Sequence, residues 1–327
     1  MGDKIELPLI FLLLGAGAYL GWNIGANDTA NCIGTTVGSG LLPFKRAVIL
    51  VAIFAILGSV LQGHHVMETI GKGIVKGDLS FAAILVVLLC SGFFVTLATF
   101  LSIPVSTSQS IVGGMVGIGL ALEAKVDFSK LITIVESWII CPFLAMVLSF
   151  ALYYLLGLVL RRIKVGIVLV QSFLSWLLIL SGCYVAYSMG ANHAGNAVGP
   201  IANLGIIHPR ILLCIGGGAI AVGAITYGKK VAYTVGKGIT PLDIPGAFAA
   251  QVSSALGIHL FSILGIPVST SATIVGAVAG VGLVKGVGTI RKKTILTILI
   301  GWALTPCFAA LSSFLLYKVI FILSTKQ

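Results

Sequence analysis

The residues able to do chemistry in this 327-residue chain fall into two pairs of short motifs. Gly25-Ala26-Asn27-Asp28-Thr29-Ala30-Asn31 is echoed by Gly190-Ala191-Asn192-His193-Ala194-Gly195-Asn196, and Ile103-Pro104-Val105-Ser106-Thr107-Ser108 by Ile266-Pro267-Val268-Ser269-Thr270-Ser271. The first pair gathers amide and carboxylate oxygens. Asp28 with Asn27, Asn31, Asn192 and Asn196 makes an oxygen set suited to a small hard cation such as Na⁺. So much Gly and Asn in seven residues disfavours helix, so a break is expected at each copy, freeing backbone carbonyls as further ligands. The second pair places three hydroxyl residues behind a proline, at the expected first turn of a helix. Free N–H groups and the positive end of the helix dipole favour an anion there. Ser106, Thr107, Ser108, Gln109 and Ser110 in one copy, and Ser269, Thr270, Ser271 and Thr273 in the other, are the candidate donors. Two such sites can grip a tetrahedral oxyanion from opposite sides without Arg or Lys. The plainer readings are that Asn and Gly serve helix contacts and that Ser and Thr bond back to their own helix. Duplication at matched positions weighs against both.

These polar motifs sit in an apolar chain. Hydrophobic residues make up 58% and charged residues 9%, where a soluble protein carries about 25% charged, and mean hydropathy is +1.14. The bilayer is the solvent, and polar groups within it mark function by default. The net charge of +11 is spread over short loops, where it reads as a topology signal and not as a nucleic-acid surface. The first apolar run, Leu7 to Leu20, has no small-residue cleavage site after it and is expected to be the first span. Cys32, Cys90, Cys141, Cys183, Cys214 and Cys307 lie scattered inside apolar runs, as small buried hydrophobes with no disulfide and no metal expected. An enzyme is the weakest functional class, since no ATP-binding loop, metal-ligand cluster or nucleophile–base pair stands at recognisable spacing.

The repeat extends through the whole chain. Glu68-Thr69-Ile70-Gly71-Lys72-Gly73-Ile74 returns as Tyr233-Thr234-Val235-Gly236-Lys237-Gly238-Ile239 at the same spacing of 165 that separates Gly25 from Gly190. The Pro-Val-Ser-Thr-Ser block returns after 163 residues, and Trp138 and Pro142 match Trp302 and Pro306 after 164. Two fused copies of one unit follow, residues 1–160 and 161–327, divided near Arg161-Arg162-Ile163-Lys164. Membrane segments are expected at about 7–37, 44–63, 79–101, 103–121 and 130–160, with an amphipathic stretch near 64–78. The second copy repeats them at about 167–199, 209–228, 242–264, 266–284 and 294–322. The Pro-Val-Ser-Thr-Ser start of each fourth segment is either the tip of a re-entrant loop or a kink in a span. Five crossings per copy invert one copy relative to the other; four leave them parallel. The expected fold is an all-α polytopic membrane protein of two inverted-topology repeats, with broken helices or re-entrant hairpins meeting at a midplane site.

Charge orients this arrangement, because Lys and Arg accumulate on the cytoplasmic side. With five crossings and an external N-terminus, twelve basic residues fall inside: Lys45, Arg46, Arg161, Arg162, Lys164, Lys229, Lys230, Lys237, Lys285, Arg291, Lys292 and Lys293. Eight fall outside: Lys4, Lys72, Lys76, Lys125, Lys130, Arg210, Lys318 and Lys326. The expected location is the cell (inner) membrane. His64, His65, His208 and His259 have no metal spacing, Glu136 and Asp243 are read as structural, and Trp138 and Trp302 as packing.

The paired Gly-Ala-Asn-(Asp/His) and Pro-Val-Ser-Thr-Ser motifs, with the Thr-(Ile/Val)-Gly-Lys-Gly-Ile blocks between them, resemble the inorganic phosphate transporter family over nearly the whole chain. The resemblance implies an inverted-repeat helical carrier, often dimeric, that imports phosphate with a coupled cation. That cation is Na⁺ in the sodium-dependent branch and a proton, with a metal–phosphate complex, in other bacterial members. By motif, Asn27, Asp28 and Asn192 would be cation and substrate ligands, and Ser106, Thr107, Ser108, Ser269, Thr270 and Ser271 would hold phosphate. Two departures stand out. Many relatives have Asp in both Gly-(Ala/Gly)-Asn motifs where the second copy here has His193, and eukaryotic relatives have an acid in the second span where Ala55 stands. The expectation is alternating-access symport of phosphate and Na⁺ in the lipid bilayer, with no other cofactor and no nucleic-acid partner. A proton-coupled carrier using Asp28 or His193, and an anion channel, are the alternatives.

Overall fold

The computed structural model describes residues 7–38, 40–101, 105–162, 166–236, 242–286 and 292–324. Pro104, Lys237, Arg291 and the other expectations that fall between these ranges lie outside them. The first half holds α1 (Leu7–Gly38), α2 (Phe44–Gln62), α3 (His64–Glu68) with a π-helical turn at Thr69–Gly73, α4 (Phe81–Phe100), α5 (Thr107–Ala121) and α6 (Phe128–Arg162). The second holds α7 (Ile167–Ala202), α8 (Pro209–Gly236), α9 (Ile244–Ile263), α10 (Thr270–Lys285) and α11 (Lys292–Ser324). Eight helices are long and apolar enough to cross a membrane, and among the described residues the only β pairing is the isolated Val75–Val126 bridge. The chain is an all-helical polytopic membrane protein.

The expected breaks in the Gly-Ala-Asn segments are absent. α1 continues through Gly25–Asn31 and α7 through Gly190–Asn196. The glycines serve helix approach: a Cβ at Gly25 would lie 1.9 Å from the carbonyl oxygen of Ile220 in α8, and one at Gly190 would lie 2.0 Å from that of Ala55 in α2. Tertiary packing of small residues thus overrides the low helix propensity of the segments. Their backbone carbonyls remain in the helix ladder, so the oxygens they bring to the centre are those of side chains.

α4 and α5 form an antiparallel hairpin, as do α9 and α10. Ser91 and Ser110 each donate to the other's carbonyl at 3.3 Å, and Gly246 lies against Val281. In each half the third and fourth expected segments are thus separate helices packed side by side. The base of the first hairpin is tied to the end of α7, where the Leu79 N–H donates to Asn203 Oδ1 at 3.0 Å. The base of the second is tied to the far end of α6, where Tyr153 donates to Asp243 and Lys285 pairs with the same carboxylate at 2.6 Å. The first base also lies at the start of α6, through the Val75–Val126 bridge and the Lys76–Asp127 pair, and Phe128 to Tyr153 spans 26 residues of helix, about 38 Å, so the two bases lie at opposite ends of α6. The tips meet between them. α1 and α7 run antiparallel, Gly17 beside Ala197 and Gly182 beside Cys32, and flank the meeting point.

Candidate functional site

Each hairpin tip is stapled to a long helix by the same pair of bonds. Asn27 Oδ1 accepts from the Val105 N–H at 3.4 Å, while its amide donates to Thr99 Oγ1 at 2.9 Å. In the other half, Asn192 Oδ1 accepts from the Val268 N–H at 3.1 Å and its amide donates to Ser262 Oγ at 3.0 Å. Thr99 and Ser262 were missed in the sequence, yet each is a hydroxyl residue four positions before the Ile-Pro-Val of its copy, a matched signal that could have found them.

The tips also clasp one another. Ser108 donates to the carbonyl of Val268 at 2.8 Å and Ser271 to that of Val105 at 3.4 Å. One turn beyond the staples, Asn196 donates to Ser108 Oγ at 2.8 Å and Asn31 to Ser271 Oγ at 3.0 Å. Ser106 and Ser269 cap their helices, accepting from the N–H groups of Gln109 and Ala272. The remaining first-turn N–H groups have no partner within a helix, so two helix N-termini and their hydroxyls point donors at one buried spot. Asn27, Asp28, Asn31, Asn192, Asn196 and all six tip hydroxyl residues are buried there.

The symmetry fails at the middle of the site. Asp28 Oδ2 lies 3.0 Å from His193 Nδ1, its counterpart in the other half, and both side chains are about 1% exposed. Thr107 Oγ1 bridges them, 3.2 Å from the carboxylate and 3.0 Å from the ring, and His193 Nε2 is 3.3 Å from the carbonyl of Val268. Asn31 reaches Asp28 Oδ1 and Thr270 Oγ1, each at 3.3 Å. Asn196 Oδ1 is buried without a donor. Buried polar atoms are rarely left so, and this one leaves an acceptor for a cation or a proton-bearing oxygen.

Gln109 stands apart. Its side chain lines an apolar cavity of about 550 Å³ with Trp138 and Trp302, between α5, α6 and α11, and its Oε1 is unpartnered. Trp138 donates to the carbonyl of Pro267 at 3.1 Å and so braces the second tip from behind. Asp243 is engaged at a hairpin base, and Glu136 is exposed on α6. His259 meets Tyr184, and neither joins the centre.

The model of the phosphate transporter family matches residues 24–313. A protein of Pyrococcus abyssi described as a phosphate permease is 31% identical, the alignment covering 96% of this chain and 98% of that protein. The inorganic phosphate transporter 2-1 of Arabidopsis thaliana, a chloroplast protein, is 29% identical over 91% of this chain and 70% of its own. A solved structure described as the sodium-dependent phosphate transporter superposes with a TM-score of 0.89 at 28% identity, covering 97% of this chain and all of the other. Motifs, architecture and relatives agree, and the chain belongs to the phosphate transporter family, a transporter and not an enzyme.

Proposed function

We propose that the chain is a Na⁺-coupled phosphate symporter of the cell membrane that works by alternating access. The observation that carries this reading is the meeting of two hairpin tips, each a helix N-terminus with three hydroxyl residues, beside the buried carboxylate of Asp28. Phosphate sits between Ser106, Thr107, Ser108 and Ser269, Thr270, Ser271. Neutral donors hold an oxyanion and can release it. Na⁺ sits against Asp28 with Asn31, and offsets the charge that phosphate brings into a medium where an unpaired charge costs about 2.5–3.5 kcal/mol on insertion scales. Asn27 and Asn192 use both ends of their amides on the tips, so they shape the site, while Asn196 offers Oδ1 as an acceptor. Gln109 faces elsewhere and is left out of the phosphate cradle.

Residues 1–160 and 161–327 are two repeats of inverted topology. Antiparallel α1 and α7, the opposed hairpin bases and the matched staples support this. Exchanging two crossings for a hairpin leaves the side of every loop unchanged, so the balance of twelve basic residues to eight still favours an external N-terminus. Continuous α1 and α7 form the fixed wall, and the hairpins gate the site from either face.

The test is uptake of labelled phosphate into liposomes carrying the purified protein, comparing an inward Na⁺ gradient with an equal K⁺ gradient at matched pH. Accumulation with Na⁺ alone is expected. Equal uptake under both would overturn Na⁺ coupling. The contact of His193 with Asp28 favours a second reading, proton coupling, in which a pH gradient and not sodium drives that uptake.

A further inference from the structure

The internal symmetry places two oxygen cradles at the centre, one per half. The first surrounds Asp28 with Asn31, Thr270, Ser271 and the carbonyl of Val105, linked through the Asn31 amide and the Ser271 hydroxyl. Spacings of 165 and 163 carry these positions onto His193, Asn196, Thr107, Ser108 and the carbonyl of Val268. The second cradle therefore has the same oxygens around a different centre. Its imidazole occupies the middle, with Nδ1 at 3.0 Å from both Thr107 Oγ1 and Asp28 Oδ2, and Nε2 at 3.3 Å from the Val268 carbonyl.

A hard monovalent cation needs oxygen ligands and a space among them. The ring supplies no oxygen, fills the space and holds the surrounding oxygens as hydrogen-bond partners. One acceptor is left over. Ser108 donates its hydroxyl hydrogen to Val268, so its oxygen must accept from the Asn196 amide, which turns Asn196 Oδ1 away to where it has no donor. The cradle thus keeps an unused oxygen one helical turn from the ring.

We infer that His193 is a tethered occupant of the second cradle, so the carrier binds one Na⁺ fewer than its two-fold architecture provides for, and that the second site is latent. The inference rests on the Na⁺-coupled reading above. His193→Asp returns the missing carboxylate, and His193→Asn supplies a neutral amide oxygen of similar reach.

Equilibrium binding of ²²Na⁺ to purified protein with phosphate present, alongside the ²²Na⁺-to-phosphate flux ratio in liposomes, tests it. The wild type is expected to bind about one Na⁺ per chain and His193→Asp about two, with Na⁺ activation changing from hyperbolic to sigmoidal. His193→Asn, which adds no carboxylate, is expected to show a second, weaker Na⁺ and serves if the aspartate variant does not fold. Two Na⁺ bound by the wild type, or one Na⁺ in whichever variant elutes as folded protein, overturns the latent site. No Na⁺ bound by the wild type overturns the coupled-Na⁺ reading itself, which the liposome comparison registers separately.

Discussion

At the scale of single residues, the centre is organised by hydrogen-bond polarity. Asp28 receives Thr107 and faces His193, and the pair shares a site with almost no exposure to solvent. Asp28→Asn is expected to leave the protein folded while lowering Na⁺-driven uptake by about two orders of magnitude, since unpairing a buried charge costs roughly 3–5 kcal/mol. Size-exclusion profiles and the liposome assay together check this; unchanged sodium dependence would remove Asp28 from the cation site. The asparagines and hydroxyl residues at the centre were legible in the sequence because each occurs twice. Gln109 lies on another face of α5, because successive helical residues turn by about 100°, and it lines the cavity beside Trp138 and Trp302. Gln109→Leu is therefore expected to leave the phosphate concentration for half-maximal uptake within about twofold of wild type. A tenfold rise would return Gln109 to the substrate cradle.

At the scale of elements, most segment boundaries are readable from hydropathy, although α8 runs on to Gly236 where a segment ending near 228 is expected; the short stretch at 64–78 folds as α3, a π-helical turn and the Val75–Val126 bridge. The continuity of α1 and α7 was not. Local propensity says that Gly and Asn interrupt a helix, and only the neighbouring helix shows that glycine is there to let backbones touch. Gly25→Ala and Gly190→Ala should each destabilise the fold by about 1–3 kcal/mol through overpacking, read as a lower melting temperature in detergent. Outside the membrane segments, Asp127 caps the start of α6. The Lys130 N–H and the Lys76 ammonium hold its carboxyl below the usual carboxylate range. A depressed pKa contributes stability that is present above the unfolded-state value and is lost as pH falls through the folded one. The base of the first hairpin should accordingly loosen on acidification, with faster amide hydrogen exchange at residues 125–130, and Asp127→Asn should show that loosening already at neutral pH. Exchange indifferent to both would remove the cap from this role.

At the scale of the whole molecule, the repeat is visible in the sequence, whereas the side-by-side packing of α4 with α5 and of α9 with α10 is not, because a proline before three hydroxyl residues fits a kinked span as well as a hairpin tip. The proposed inverted topology has a direct readout. Single cysteines at Lys76 and at Lys285, beside opposite hairpin bases, should react with a membrane-impermeant maleimide from opposite sides in a cysteine-free background. Reaction of both from one side would abolish the inverted arrangement.

The clasp between the tips has a thermodynamic consequence. Ser108 and Ser271 donate to the carbonyls of Val268 and Val105, so a hydroxyl that turns toward a phosphate oxygen lets go of a carbonyl. Each anion contact made in this way releases an oxygen that a cation can use. On the proposed reading the affinities for the two solutes are then linked, and linkage is reciprocal: whatever factor Na⁺ adds to phosphate binding, phosphate adds to Na⁺ binding.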